Sequence, residues 1–343
     1  MKQELGKGET AEEALRKYFI EQSYFVVRSL PFTYNQIDIT DVDLWLYSKA
    51  SAFSRERTNV DIKNKKDPRA FERIIWAKGL QTTLKLERAI VATASTKDEA
   101  QKFGLANNII VITGDVLKQI ISRRVNSNRI TEENFISDIS TQNVEKKEDD
   151  YKRRYQMSKG RLLSNFNFNG CNEYLQEINF FLEQTMTKAD NNISILRLLY
   201  INTAFLLICT DFVIKGFTSV DIKTRVEILQ NGFNYGERGK EGTERITNAA
   251  IKLASSVIGN KNIATTLKRE VDKQTKNRPV EILSDYFSQT TNMNSLFKNA
   301  KFFESCAYSE VVTTPSKLPI ELQSIIGLLT DFFRMDRKKI LNL

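Results

Sequence analysis

The sequence predicts an α/β N-terminal domain, a mixed sheet flanked by helices, followed by an all-α C-terminal domain. Three observations carry this expectation. Short runs rich in β-branched and aromatic residues alternate with helical patterns over the first third of the chain. Apolar density then falls through a charged segment, and beyond it almost every segment has an apolar period of about 3.6 residues. The expected boundaries are 1–125 for the α/β domain, 126–159 for a polar linker and 160–343 for the helical domain. At about 150 residues per domain, a chain of 343 residues holds about two.

The opening helix, Glu9 to Gln22, places Ala11, Ala14, Leu15, Tyr18 and Phe19 on one face, with Thr10 as its expected cap. Three strand-like runs follow at Tyr24 to Leu30, Ile37 to Tyr47 and Thr58 to Lys63. Helical periodicity resumes from Pro68 to Leu86, with Pro68 suited to a first turn. Arg88 to Ala94 and Asn108 to Thr113 are unbroken aliphatic runs, as in strands buried on both faces, and they flank a helix from Thr96 to Phe103. A helix from Asp115 to Arg124 closes the domain. The linker carries the charged run 145–150. In the helical domain the expected helices are Tyr174 to Phe181, Ile193 to Ile214, Val220 to Leu229, Ile246 to Val257, Val280 to Phe287 and Leu318 to Phe333. Their apolar stripes are expected to be core or an oligomer interface, and the glycines in 231–242 are expected to form a mobile loop between helices.

Composition removes several function classes. The chain has no histidine, which excludes Ser-His-Asp and Cys-His catalysis and His-ligated zinc. A hard, oxygen-ligated cation stays open. Cys171, Cys209 and Cys306 are too scattered for a disulfide framework or a metal knuckle and are expected as reduced core residues of a cytoplasmic protein. Met1 to Glu4 lacks the apolar segment of a signal peptide. Arg197, Asn202 and Asp211 interrupt the most apolar stretch, so a buried helix is expected there and no membrane span. Fifty-one Lys and Arg against 42 Asp and Glu leave a net charge of +9, which favours polyanionic partners such as nucleic acid.

The chemistry-bearing residues lie on two early strands. Asp43 stands at the head of the apolar run Leu44-Trp45-Leu46, and Asp61 and Lys63 share one strand face two residues apart. If these strands pair as a hairpin, Asp43 comes beside Asp61, and the two carboxylates need a cation between them. Magnesium meets that need, with the Ile62 backbone carbonyl and water filling further positions. Lys63 then faces a bound anion, an arrangement suited to phosphodiester hydrolysis. Basic residues crowd the same region. Arg57 shares a strand face with Asn59, Asp61 and Lys63. Lys65 and Lys66 follow, and Arg69, Arg73 and Trp76 share a helix side able to track a phosphate backbone or stack on a base. Trp45 and Trp76 are both expected in the core ahead of any stacking role.

An acid before an apolar strand, then Asp-x-Lys on the next strand, resembles the core of the PD-(D/E)XK, or restriction-endonuclease-like, nuclease superfamily. The opening 7–15, followed by Tyr24-Phe25-Val26-Val27-Arg28-Ser29, is similar to archaeal Holliday-junction resolvases, whose first helix supplies an acid near the metal. The resemblance covers about residues 7–125 and implies Glu12, Asp43, Asp61 and Lys63 as catalytic residues, with Glu12 joining Asp43, Asp61 and Ile62 at the metal. Glu9 and Glu13 compete with Glu12, and Asp41 with Asp43. Ser23 stands where resolvases usually have a turn glycine. The expected function is a magnesium-dependent endonuclease, with manganese able to substitute and DNA favoured over RNA. A homodimer, or a protein partner on the helical domain, fits this reading. The rivals are a non-catalytic nucleic-acid-binding or scaffold module of the same fold, and a partner-activated effector nuclease of host defence or mobile-element biology.

Overall fold

The computed structural model describes residues 5–35, 37–65, 69–123, 128–140, 150–187, 192–258, 265–270 and 279–341. Its N-terminal region is a five-stranded mixed sheet flanked by helices, and the C-terminal region is largely helical. The elements of the first region are α1 (Lys7–Glu21), β1 (Phe25–Tyr34), β2 (Ile37–Lys49), β3 (Arg55–Lys63), α2 (Ala70–Thr83), β4 (Arg88–Thr93), α3 (Asp98–Ala106), β5 (Ile110–Ile112) and α4 (Gly114–Ser122). Every expected element is present in the expected order, with ends shifted by a few residues. Pro68, expected in the first turn of α2, and Lys66 lie outside the described residues.

The strands lie in the order β1-β2-β3-β4-β5. β1, β2 and β3 form an antiparallel meander, while β4 and β5 add in parallel through helical crossovers. Side-chain alternation divides the core in two. Leu44, Leu46, Val60, Ile62 and Ile90 face α1 and α4, packing on Ala11, Leu15, Phe19 and Leu117. Ala89 and Val91 face α2 and α3, packing on Ala70, Ile74, Ala77 and Ala100. Helix α1 begins earlier than expected: Gly6 is its N-cap, its N–H donating to Glu9 Oε2 at 2.7 Å, so Thr10 sits inside the first turns and its hydroxyl donates back to the Gly6 carbonyl. Ser23, in the turn after α1, has φ +69°, the left-handed region in which a glycine carries no steric cost.

The chain divides into two compact units. The first comprises 1–164 together with 193–201 and 300–312; the second comprises 165–192, 202–299 and 313–343. This corrects the expected linker at 126–159. The residues 141–149, which hold most of its charged run, lie outside the described residues, but α5 (Glu132–Ser140) and α6 (Tyr151–Ser164) are packed helices of the first unit. Phe135, Ile139, Tyr151 and Tyr155 are buried, and Phe135 stacks on Tyr308 with ring centroids 4.6 Å apart. Charge density misled because two of these charges, Glu132 and Lys159, point inward. Lys159 is fully buried, donating to Glu132 Oε1 at 2.7 Å and to the Arg28 carbonyl at 3.1 Å. Burial pushes the Glu132 carboxyl up, but the Lys159 and Arg16 charges outweigh it and hold Glu132 below the usual carboxylate range. Arg16 also meets Glu304 at 3.2 Å, and Tyr155 and Tyr308 both hydrogen-bond to Glu132.

The second unit contains the helix Phe168–Thr187 and continues through Ile222–Tyr235, Gly239–Ile258, Val280–Ser288 and Ile320–Phe332. The helix Thr290–Tyr308 was not anticipated from the apolar pattern. Asn192–Ile214 is the expected buried helix. The span Ile193–Phe217 is long and apolar enough to cross a membrane, but its most apolar 18-residue window, of mean hydropathy 1.8, is 94% buried within the protein. The expected mobile loop at 231–242 is instead a tight junction. Gly232 lies within a helix, and one 3-10 turn, Gly236–Arg238, joins it to the next. Gly236 (φ +65°) and Gly239 (φ +63°) supply the left-handed backbone that this turn requires.

Candidate functional site on the β2–β3 hairpin

An open cavity of about 720 Å³ sits where α1, the β2–β3 hairpin and α2 converge. Glu12 comes from α1, Asp41 and Asp43 from β2, Ile62 and Lys63 from β3, Lys65 from the following turn, and Arg73 and Trp76 from α2. The hairpin register builds it. Leu44 pairs with Val60 at the end of the antiparallel ladder, so one step further brings Asp43 opposite Asp61, as expected from sequence. The Ile62 N–H donates to Asp43 Oδ2 at 2.7 Å. Burial pushes the Asp43 carboxyl up to about 6; the Ile62 N–H and the Arg73 and Lys63 charges pull it back, while Glu12 adds to the rise. Lys63 is half-buried, and among the described residues its ammonium has no ion pair.

The structure separates the competing acids. Glu9 is spent on the Gly6 cap and Glu13 is buried against Arg16 and Arg28, which leaves Glu12 as the α1 acid lining the cavity. Asp41 lines the cavity too, but it is exposed, whereas Asp43 is half-buried and anchored to β3.

Three of the expected site residues, Asp61, Arg73 and Arg57, are already paired within the chain. Asp61 does not line the cavity: both of its oxygens accept from Arg73, with the Nε contact at 2.8 Å, and Arg73 covers it. Arg73 is therefore held by a carboxylate and is not free for phosphate. The positive group found against Asp61 is a side chain, Arg73. Arg57 is paired as well. It is clamped by Glu87 at 2.9 and 3.0 Å and by the Lys85 carbonyl at 2.7 Å, at the far end of β3, about 20 Å from Lys63 at about 3.3 Å per residue. Lys65 and Arg69 are exposed, as a phosphate-contacting role needs. Trp45 is in the core as expected, but Trp76 is 44% exposed at the cavity rim.

Sequence reasoning missed Arg28. Buried on β1, it donates to Glu12 Oε2 at 2.8 Å and to Glu133 Oε1 at 2.7 Å, and so fixes the α1 acid. Burial opposes the charge, yet the Glu133 and Glu12 carboxylates hold this guanidinium above its usual range. An arginine inside the apolar run Phe25-Val26-Val27-Arg28 was the available signal, since an inward charge requires a carboxylate partner.

Among the described residues, no group of three or more Cys, Asp or Glu side chains is arranged to hold a metal ion. The donor chemistry nevertheless fits a hard divalent cation. Two apposed carboxylates on neighbouring strands supply hard oxygens, and a positive group, the Arg73 guanidinium, already stands in at Asp61. A metal at this pair requires Arg73 to release Asp61. Compared with family models, with curated proteins and with solved structures, the chain matches none.

Proposed function

We propose that this protein is a metal-dependent nuclease of the PD-(D/E)XK type, acting as a DNA endonuclease. The observation that carries the reading is that Asp43 and Lys63 line one open cavity, with Asp61 one step beyond the Leu44–Val60 pair in the β2–β3 register and covered by Arg73. Asp43, Asp61 and the Ile62 carbonyl would hold the metal, with Glu12 nearby. Magnesium, or manganese in its place, would supply charge neutralisation and an acidified water. Lys63 orients the attacking water and meets the charge that develops on the phosphoryl oxygens. Arg28 holds Glu12 through its Nε–H and keeps that side chain at the cavity. Lys65 and Arg69 meet flanking phosphates, and Arg73, once released from Asp61, joins them.

The test is cleavage of supercoiled plasmid, linear duplex, single strand, four-way junction and structured RNA with magnesium or manganese. Wild type should cut, while Asp61→Ala and Lys63→Ala should bind equally and not cut. Binding without cutting under every metal condition overturns the proposal. One observation favours a second reading. Arg73 on Asp61 and Arg28 on Glu12 neutralise these carboxylates within the chain, as a non-catalytic nucleic-acid-binding module would need. Such a module binds equally well in EDTA and tolerates loss of Lys63.

A further inference from the structure

We propose that the substrate presents an unpaired nucleotide at this site, with Trp76 as the platform on which its base stacks. The inference rests on the nuclease reading and adds a substrate class: single-stranded DNA, or a strand splayed from a duplex. Trp76 is 44% exposed although it is large and apolar, and it lines the same cavity as Asp43, Lys63 and Lys65. Elsewhere on α2, Ile75 is 63% exposed and Phe71, its ring edge against Phe103, 41%. A cluster of exposed large apolar side chains marks a binding surface.

Charge selects the occupant. Lys7, Lys63 and Lys65 line the cavity, Arg69 is exposed one helical turn before Arg73, and the Arg73 guanidinium lies 5.8 Å from the Trp76 ring centroid. Cations tracking a backbone beside an aromatic ring are the combination that binds unpaired nucleic acid, because every base has a face to stack. In a duplex those faces are already stacked on their neighbours, so an indole in a cleft has access only to an unpaired base. Arg73 links the two halves of the arrangement: its other contact is Asp61, so a nucleotide that draws the guanidinium toward phosphate and indole also frees the acid.

The chain contains two tryptophans, and Trp45 is fully buried, so Trp76 is the indole that solvent and ligand reach. The experiment is a titration of the full chain in EDTA, at fixed salt, with a single-stranded oligothymidylate and with a blunt duplex of equal length. Indole emission reports stacking, and anisotropy of labelled DNA reports binding. The single strand should quench emission and shield it from iodide. Trp76→Ala should weaken single-strand binding about 5- to 150-fold and leave duplex binding unchanged, while Trp76→Phe retains most of the affinity. Far-UV circular dichroism checks that both variants fold. The inference is overturned if the strand binds without quenching, if Trp76→Ala weakens both ligands equally, or if iodide shielding follows protein concentration without DNA, which means that a second copy covers the face. Cleavage in magnesium is scored separately. Stacking without cutting of any substrate sinks the nuclease reading and spares this one, and cutting that is indifferent to Trp76 does the reverse.

Discussion

Replacing Asp43 with asparagine should stabilise the metal-free protein above pH 7. Asp43 has a carboxyl at about 6 in the fold against a usual 3.8. Between those values the folded chain holds a proton that the unfolded chain has lost, so stability falls as pH rises from about 4 to about 6 and then levels off. The gap, at 1.36 kcal/mol per pH unit, makes about 3 kcal/mol, an upper figure for a half-buried group that water partly screens. Asparagine is nearly isosteric and its side-chain carbonyl can still accept the Ile62 N–H, so the variant removes the charge and little else. Urea denaturation of both proteins in EDTA at pH 4, 5, 6, 7 and 8 measures the difference, and shifts common to both cancel. The two should be nearly equal at pH 4 and separate by about 2–3 kcal/mol at pH 8. A divalent cation should then close the gap by stabilising the wild type alone. A gap that is the same at every pH, or a variant that is less stable at pH 8, would refute the idea that burial strains this carboxylate.

The other expectations concern single contacts. Arg73→Gln should weaken the metal-free fold by about 1–3 kcal/mol, because Asp61 loses its partner, and should tighten calcium or manganese binding in calorimetry. An unchanged cation affinity would mean that Arg73 does not occupy the cation position. Lys159→Met should cost about 3–5 kcal/mol in urea, since Glu132 is left buried and underpaired; a loss under about 1 kcal/mol contradicts the network. Ser23→Gly should stabilise by about 0.5–1 kcal/mol in thermal melts, and no gain would deny the left-handed turn. Lys65→Ala should lower DNA affinity and flatten its salt dependence, whereas Arg57→Ala should leave both unchanged because Glu87 already holds that guanidinium.

The sheet was legible because its signals are local. Strand alternation in Leu44-Trp45-Leu46 and Val60-Asp61-Ile62 sets which side chains face α1, and the short loop between them sets the hairpin register. The apposition of Asp43 and Asp61 follows from that register alone. What the sequence could not show was how each charge is spent. Arg73 on Asp61, Arg57 on Glu87 and Arg28 on Glu12 join residues 12 to 30 positions apart, and no periodicity encodes such pairs. The helix Asp150 leads into was missed for the same reason. Lys159 and Glu132 look like solvated surface until their partners are known. Trp76 was expected inside because apolar residues usually are, a one-way rule that does not bar a large side chain from the surface.

The first unit is discontinuous, and this has a biosynthetic consequence. Glu304 and Tyr308 lie within it, on Arg16 and Glu132. Translation delivers the sheet, α5 and α6 early, but their buried ions stay short of partners until residue 312 has left the ribosome. At about 5–20 residues per second that wait is on the order of ten seconds. The first unit therefore gains its last segment only about 150 residues after α6 has been made. A gene truncated in the charged segment after α5 yields an open, ion-starved fragment in place of a working module.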